Sequence, residues 1–268
     1  MAFPRHAVVI TAAGNSDRFN NRDTKVKKEY LTIEGHTVLY GATAPFLEVP
    51  GCEAILVTHP KNLAGECALA LEDLLEQNMV PVILVEGGSS RQESVFNALT
   101  MLSKLALDID YVAIHDGARC FIHSDLIIST LATATVFGAA VPALPTTDTV
   151  KIIDDNGIIT GHIERNHGVG VQTPQIFRWP AIWEAHQQAR EQQATYTDDT
   201  QVFTDYGMMV GICEGRRENR KITYLEDIPN AQEQIEAYQQ NLEEAERAGE
   251  ATRLFKESVA EYQRERSL

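Results

Sequence analysis

Short apolar runs rich in β-branched residues alternate with longer helical stretches along the first half of the chain, which limits the folds open to it. Residues 7–10, 54–58, 80–85, 111–115 and 139–142 are predicted strands, and residues 66–77 and 94–105 are predicted helices. Strands that alternate with helices form repeated βαβ units. The sequence therefore predicts an α/β fold, with a Rossmann-like, mostly parallel, twisted sheet flanked by helices.

The pattern changes between Thr146 and His167. Two short β-like pieces, residues 149–153 and 158–163, flank Asp154-Asp155-Asn156-Gly157, and an Asn-Gly turn between alternating strands is typical of a hairpin. A two-stranded hairpin alone is only marginally stable in water. We therefore predict that residues 146–167 form a β-arm that projects from the sheet and packs against a second subunit in a homodimer.

The end of the chain is rich in Gln, Glu, Ala and Arg. Its apolar residues recur at roughly helical intervals, which predicts amphipathic helices, broken near Gly249, that pack on the domain. These residues are Ile235, Tyr238, Leu242, Leu254, Phe255, Val259 and Tyr262. We predict one domain over residues 1–230 and a C-terminal helical extension over residues 231–268.

Charge and composition argue against several classes of partner. The 268 residues carry a formal charge of −15, so a broad surface that neutralises nucleic-acid or lipid phosphates is not expected. No apolar run approaches the roughly 20 residues that span a bilayer. The four cysteines are far apart, which argues against a disulfide framework and a zinc ribbon. The apolar start, residues 7–13, is better explained by a strand than by a signal peptide. We predict a cytoplasmic protein that binds neither nucleic acid nor membrane.

The first predicted strand runs into a loop of small residues. Thr11-Ala12-Ala13-Gly14-Asn15-Ser16-Asp17-Arg18 is followed by Lys25-Val26-Lys27-Lys28. Small residues let backbone amides approach phosphate oxygens, while the arginine and lysines supply positive charge. The loop is neither a Walker A loop nor a G-x-G-x-x-G fingerprint. It indicates a triphosphate site, and a solvated basic turn between strand and helix is the alternative.

A second glycine turn follows the third predicted strand. Glu86-Gly87-Gly88-Ser89-Ser90-Arg91-Gln92-Glu93-Ser94 opens a predicted helix. Paired glycines permit close backbone approach and positive φ. Ser94 could present its hydroxyl to the edge of a base, or it could cap the helix.

The fourth predicted strand ends in Ile114-His115-Asp116-Gly117-Ala118-Arg119. The sequence places a carboxylate and a guanidinium at the carboxyl edge of the sheet, where ligands bind in open α/β folds. Asp116 could hold a Mg²⁺ ion that bridges phosphates. A buried ion pair between Asp116 and Arg119 is the alternative.

Three further segments carry polar groups. Asp148-Thr149-Val150-Lys151 opens the arm, and Glu164-Arg165-Asn166 closes it. Residues 171–177 are predicted as an extended turn whose Thr173 hydroxyl could bind a phosphate. Residues 214–223 hold four cationic residues in an acidic chain, which favours an anion site over surface salt bridges.

In their order along the chain these motifs resemble the 2-C-methyl-D-erythritol 4-phosphate cytidylyltransferases of the non-mevalonate isoprenoid pathway, from Ala12 to about Asp227. The family's blocks are A-A-G…R…K-x-Y, G-G-x-x-R-x-x-S-V, H-D-x-A-R, D-T-x-K, T-P-Q-x-F, T-D-[DE] and N-x-K-[IV]-T. They correspond here to Ala12-Ala13-Gly14 with Arg18 and Lys28-Glu29-Tyr30, and to residues 87–95, 115–119, 148–151, 173–177, 197–199 and 219–223.

The resemblance implies an enzyme that transfers CMP from CTP to 2-C-methyl-D-erythritol 4-phosphate, with release of pyrophosphate and with Mg²⁺ as cofactor. It implies that Arg18, Lys28 and Lys221 are catalytic and that Asp116 binds the metal. The implied nucleotide-binding residues are Ala12, Ala13, Gly14, Gly88, Ser89 and Ser94. The residues implied to surround the polyol phosphate are Arg119, Thr149, Arg165 and Thr173, with Thr149 and Arg165 reaching it from the partner's arm.

The chain departs from the family pattern in two places. Extra residues separate Arg18 from Lys28, so both Lys27 and Lys28 are candidates for the active site. Gly117 and Cys120 replace the usual Ala and Pro, which predicts a looser turn after the fourth strand.

Ribitol-5-phosphate cytidylyltransferase, which shares most of these blocks, is the alternative function. A non-catalytic nucleotide-sugar-binding module is a second alternative.

Overall fold

The computed structural model describes residues 3–20, 26–77, 80–237 and 240. The five predicted sheet strands and the two predicted strands of the arm all form, together with further strands that the sequence pattern did not reveal. The strands are β1 (His6–Thr11), β2 (Thr32–Ile33), β3 (His36–Thr37), β4 (Cys52–His59), β5 (Val82–Glu86), β6 (Tyr111–Asp116), β7 (Ala139–Pro145), β8 (Lys151–Ile153), β9 (Ile159–His162), β10 (Val169–Val171), β11 (Gln175–Arg178) and β12 (Gly211–Glu214).

In the sequence, most of the helices lie between strands of the large sheet. They are α1 (Val38–Leu47), α2 (Ala64–Leu69), α3 (Glu72–Gln77), α4 (Arg91–Leu105), α5 (Ser124–Phe137), α6 (Ala181–Glu191) and α7 (Asp199–Asp205), with short 3-10 helices at Lys28–Tyr30, Arg165–His167 and Leu225–Asp227. No helix in the described part of the chain is long and apolar enough to cross a membrane.

The main sheet has eight strands in the order β10-β7-β11-β6-β1-β4-β5, with β12 paired to β7. Strands β6, β1, β4 and β5 are mutually parallel, whereas β11 runs antiparallel to both β6 and β7. Thr11 at the end of β1 lies in register with Thr58 and Asp116. The carboxyl ends of four neighbouring strands therefore meet at one edge, which brings both glycine turns to Asp116.

Both faces of the sheet are covered, as predicted. Val8 and Ile10 of β1 pack in a cluster that contains residues of α1, α3 and α5. Ala7 and Val9 pack in a second cluster with residues of α4, α6 and α7. Because successive residues of a strand point to opposite faces, one continuous apolar run supplies both cores. The predicted mostly parallel sheet flanked by helices is confirmed.

Two predicted segments differ from the structure. Residues 66–77 form two short helices instead of one. The Leu71 N–H donates to the Ala68 carbonyl three residues back, which makes a tighter turn than the four-residue spacing of an α-helix. Residues 171–177 are not one extended turn, because Gln175–Arg178 forms β11 and pairs with β6 and β7. This strand is short, and no crossover helix connects β7 to it, so its pattern did not indicate a sheet strand.

The predicted hairpin is present. Strands β8 and β9 pair antiparallel, and Gly157 in the turn has a φ of 80°. Six apolar side chains of the arm are 37–62% exposed in the single chain: Val150, Ile152, Ile153, Ile158, Ile159 and Ile163. The arm thus leaves an apolar surface that the rest of the described chain does not cover.

The first part of the predicted extension packs on the domain. Residues 231–237 are helical, and Ala231 and Ile235 are buried in a third cluster with Phe19, Leu31 and Ile222. The domain boundary at residue 230 remains a prediction. The predicted break near Gly249 and the apolar positions Tyr238, Leu242, Leu254, Phe255, Val259 and Tyr262 lie outside the described residues.

Candidate active site

A cleft of about 620 Å³ opens at the carboxyl edge of the sheet. The loop after β1, the glycine turn before α4, the end of β6 and the segment that carries Lys221 form its walls. Nine of the predicted site residues line it: Ala13, Gly14, Arg18, Lys28, Gly88, Ser89, Ser94, Asp116 and Lys221. The fold therefore brings together residues that are more than two hundred positions apart in the sequence, such as Ala13 and Lys221.

Asp116 lies at the end of β6 and is surrounded by cations. Lys221 Nζ donates to Asp116 Oδ2 at 2.8 Å. The Nε atoms of Arg119 and Arg91 lie 3.6 Å from Oδ2 and 3.4 Å from Oδ1, respectively. The ion pair between Asp116 and Arg119 that was the alternative for this motif is present, but it is one of three.

The balance of charge fixes the ionisation of Asp116. Burial alone would raise the pKa of this carboxyl, but the charges of Arg91, Lys221 and Arg119 outweigh burial and hold its pKa well below the ordinary range. Asp116 is therefore a carboxylate at any physiological pH. It neutralises part of the positive charge that the cleft gathers in an otherwise acidic chain.

The fit of the site to Mg²⁺ depends on this carboxylate. Among the described residues, no group of three or more His, Cys, Asp or Glu side chains could hold a metal ion. Both oxygens of Asp116 already have cationic partners. Mg²⁺ commonly combines one or two protein carboxylates with substrate phosphates and water. The cleft fits a Mg²⁺ ion held chiefly by nucleotide phosphates, with Asp116 as the candidate protein ligand.

The structure separates the two candidate lysines. Lys28 lines the cleft and donates from Nζ to the Ile222 carbonyl at 2.6 Å. Burial lowers the pKa of Lys28, the charges of Lys221, Lys27 and Arg18 lower it further, and Glu29 opposes them. Lys27 instead donates to the Gly14 carbonyl and pairs with Glu29 at 3.0 Å, so it closes the base of the loop.

The glycine turn differs in detail from the prediction. Neither Gly87 nor Gly88 has a positive φ. Ser90 caps α4 by accepting from the Glu93 N–H. The Ser94 hydroxyl accepts from the Gly88 N–H at 3.0 Å and donates to the Ser90 carbonyl at 2.8 Å. Ser94 therefore braces the turn: it does not cap the helix, and its proton is not free for a base.

Two other predicted residues are turned away from the cleft. The Ala12 N–H donates to Thr58 Oγ1 at 3.1 Å, so it is not free for a phosphate. Thr173 is buried, and its hydroxyl accepts from the Asp116 N–H at 3.1 Å and lies 2.9 Å from His115 Nδ1. Burial lowers the pKa of His115 to about 4. Because a neutral His115 donates from Nε2 to the Arg119 carbonyl, its Nδ1 accepts a hydrogen bond from the Thr173 hydroxyl. The Thr173 hydroxyl therefore has no proton left to donate to a phosphate.

The turn after β6 is tight, contrary to the prediction. The Gly117 N–H donates to the Thr11 carbonyl, and the Arg119 N–H donates to the Asp116 carbonyl. A Cβ on Gly117 would lie 3.0 Å from Ala12 Cβ. Gly117 thus permits close packing here.

The arm residues do not reach this cleft within one chain. Thr149 and Arg165 are exposed, and neither lines the cleft. Their contact with a substrate remains a prediction.

Sequence reasoning missed Arg91, Asp199 and His186. Arg91 lines the cleft and is bound to Asp199 at 2.6 Å, while Asp199 contacts His186 at 3.1 Å. Arg91 stands in the glycine turn and Asp199 in the T-D-[DE] block, so both were visible as motif members. Neither motif showed that the two side chains pair, because that depends on the packing of α4 against α6 and α7.

Comparisons with known proteins agree on one family. The model of the 2-C-methyl-D-erythritol 4-phosphate cytidylyltransferase family matches residues 6–237. A protein of that name from Clostridium novyi is 32% identical over 87% of this chain and 97% of its own. One from Caldanaerobacter subterraneus is 36% identical over 83% of this chain and 95% of its own. The crystal structure of 4-diphosphocytidyl-2C-methyl-D-erythritol synthase from Anaerococcus prevotii is 28% identical, with a TM-score of 0.71 over 88% of this chain and 96% of that one.

The close packing of the glycine turn gives a stability prediction. A Cβ at Gly87 would lie 2.2 Å from Ala13 Cβ, whereas a Cβ at Gly14 would meet nothing within 4 Å. We expect Gly87→Ala to lower the free energy of unfolding by about 1–3 kcal/mol, as overpacking does. Gly14→Ala, the matched control, should leave it unchanged. Chemical denaturation measures both, and equal stabilities of the two variants would contradict the packing described.

Proposed function

The chain belongs to the 2-C-methyl-D-erythritol 4-phosphate cytidylyltransferase family, and we propose that it transfers CMP from CTP to 2-C-methyl-D-erythritol 4-phosphate in isoprenoid precursor biosynthesis. The products are 4-diphosphocytidyl-2-C-methyl-D-erythritol and pyrophosphate. One observation carries the proposal: Arg18, Lys28 and Lys221 line a single cleft beside a small-residue loop, in a chain with a net charge of −15. That cleft suits two anionic substrates.

The reaction needs electrostatics more than covalent help from the protein. A phosphate oxygen of the acceptor forms a bond to the α-phosphorus of CTP, and the bond from that phosphorus to the bridging oxygen of pyrophosphate breaks. The acceptor phosphate is already an anion, so no base has to activate it. The protein must align the two substrates and offset the repulsion between them.

We assign the cationic residues from the family resemblance, and their position in one cleft supports the assignment. Arg18 and Lys28 would bind the triphosphate, and Lys221 would bind the α-phosphate, where charge grows in the transition state. Lys221 would then exchange Asp116 for a phosphate oxygen. Asp116 would help to hold a Mg²⁺ ion, which would supply positive charge near the leaving pyrophosphate. Ala13, Gly14, Gly88 and Ser89 would contact the nucleotide, with Ser94 bracing the turn.

The acceptor site is assigned from the family motifs and the geometry together. Arg119 lies beside Asp116, and we propose that it binds the polyol phosphate. Thr173 would support the site through Asp116 and His115. The alternative acceptor, ribitol 5-phosphate, is not favoured, because the relatives described above are all named for methylerythritol phosphate. A non-catalytic module is not favoured either, since the three catalytic cations all line the cleft.

We further propose a homodimer in which each arm completes the partner's acceptor site. The exposed isoleucines of the arm support this arrangement, because pairing would bury them. The position of Arg165 and Thr149 outside their own cleft supports it as well. An isologous dimer would use both arms in the same way.

Pyrophosphate release tests the function directly. With Mg²⁺ and CTP, we expect rapid release with 2-C-methyl-D-erythritol 4-phosphate and little with ribitol 5-phosphate. ATP and GTP should be poor donors, because we assign the base site to the tight turn over residues 87–94 and expect it to exclude purines. Release of pyrophosphate with ribitol 5-phosphate but not with 2-C-methyl-D-erythritol 4-phosphate would overturn the assigned acceptor. Equal use of all nucleotide donors would overturn the assigned nucleotide site.

Removal of Lys221 should separate activity from folding. In Lys221→Ala, Asp116 retains Arg91 and Arg119 as partners, so the fold should survive. Turnover should fall by about 10²-fold or more, as when a transition-state charge partner is removed. Arg217→Ala removes an exposed cation of the same segment and should leave turnover unchanged. Near-normal turnover of a folded Lys221→Ala variant would exclude the role of Lys221.

Mixed dimers test the action of the arm across the interface. Arg165→Ala and Lys221→Ala subunits should each be nearly inactive alone. In a heterodimer, one cleft combines an intact Lys221 with the partner's intact arm. Random mixing should therefore restore about a quarter of wild-type activity if each dimer has two shared sites. No recovery, although heterodimers are shown to form, would mean that Arg165 serves its own chain.

A further inference from the structure

We propose that Asp199 and His186 are positioning residues for the reaction, and that they act on Asp116 through Arg91. The inference rests on the proposed function for its kinetic test. It starts from a continuous path of side-chain contacts that runs from α6 through α7 and Arg91 to Asp116 in the cleft. Arg91 begins α4, Asp199 begins α7, and His186 lies within α6.

Arg91 is held between two carboxylates. Its Nη1 donates to Asp199 Oδ2 at 2.6 Å, and its Nε lies 3.4 Å from Asp116 Oδ1. The Arg91 side chain is 28% exposed, whereas that of Asp199 is only 1% exposed. Arg91 thus has one end in the protein interior and the other at the cleft. Because Asp199 already neutralises its charge, we expect Arg91 to attract a phosphate less strongly than Arg18 or Lys28.

Asp199 is itself fixed on several sides. Its Oδ1 lies 3.1 Å from His186 Nε2, and its N–H donates to Gln175 Oε1 of β11 at 3.2 Å. Burial would raise the pKa of Asp199, but Arg91 and His186 outweigh burial and lower it. A buried carboxylate with several partners is costly to move, because separation from Arg91 leaves its charge unpaired in the interior.

This anchoring determines how Asp116 presents its two oxygens. Since a guanidinium is planar and rigid, fixing Nη1 on Asp199 also fixes the direction of Nε. Nε faces Oδ1, which leaves Oδ2 to Lys221 and Arg119. If the anchor is removed, Arg91 can turn towards Asp116 or the cleft, and Asp116 no longer holds Lys221 in one place.

The kinetic test compares Asp199→Asn, Arg91→Met and the double variant. Asp199→Asn keeps the shape and removes the charge. We expect kcat at saturating substrates to fall about 10- to 100-fold in both single variants, as misplacement of a catalytic group does. The dissociation constant for CTP, measured by calorimetry, should change by less than about threefold, because we assign Arg91 to the two carboxylates and not to a phosphate.

The double variant distinguishes positioning from simple destabilisation. Arg91→Met leaves a buried Asp199 without its arginine, and the second substitution removes that charge, so the double variant should be more stable than Arg91→Met alone. Its kcat should nevertheless remain as low as that of Arg91→Met, because both residues act in one path. Recovery of kcat together with stability, or losses that simply add, would overturn the inference.

The neighbouring aspartate supplies the control. Asp198 caps α7 by accepting from the Gln201 N–H, and asparagine caps a helix about as well. Asp198→Asn should therefore keep wild-type kcat. Normal kcat in a folded Asp199→Asn variant would also overturn the inference.

Crystal structures of the wild type and of Asp199→Asn, without substrate, give a readout that does not depend on the reaction. We expect the 2.8 Å hydrogen bond between Lys221 and Asp116 to be broken or lengthened in the variant. An unchanged hydrogen bond would overturn the inference even if the wild type has the proposed activity. If the wild type releases no pyrophosphate, the proposed function fails, and this comparison still decides the positioning role.

Discussion

The carboxylate of Asp116 holds the active-site edge of this protein together. It contacts Arg91 from the start of α4, Arg119 from the turn after β6 and Lys221 from a segment near the end of the described chain. Three cations packed this closely would repel one another strongly in a half-buried site. Asp116 offsets that repulsion, and its own burial is tolerated because the cations surround it. The two sides of the cleft are therefore coupled through a single side chain.

The same balance prepares the site for anionic ligands. In the free protein, Asp116 occupies part of the positive charge that the proposed reaction would direct at phosphates. A triphosphate that enters the cleft can replace it as the partner of Lys221, so binding exchanges one anion for another. Lys27, which binds the Gly14 carbonyl and pairs with Glu29, ties the base of the loop after β1 together, while the neighbouring Lys28 lines the cleft.

Much of this could be predicted from the sequence, for reasons that lie in the chain. The parallel strands are buried on both faces, so each gives an uninterrupted apolar run, and the motif blocks identify most of the residues that line the cleft. Strand β11 escaped notice because it is four residues long and reaches the sheet without a crossover helix. Ser94 and Thr173 were predicted to bind ligands through their hydroxyls, but those hydroxyls are bonded to backbone groups and to His115, and no motif indicated these contacts. The path from Asp116 to His186 could not be predicted, because it joins side chains on three helices whose packing no local pattern encodes.

The most direct measurement is a crystal structure of the protein with Mg²⁺ and a CTP analogue whose α,β-bridging oxygen is replaced by a methylene group. The triphosphate should lie over the Gly14 loop beside Lys28, with the cytosine at the glycine turn. Lys221 Nζ should be within hydrogen-bonding distance of an α-phosphate oxygen and should have left Asp116 or share it. A nucleotide bound elsewhere, or a Lys221 that keeps its contact with Asp116 and touches no phosphate, would contradict the role of the Asp116 cluster.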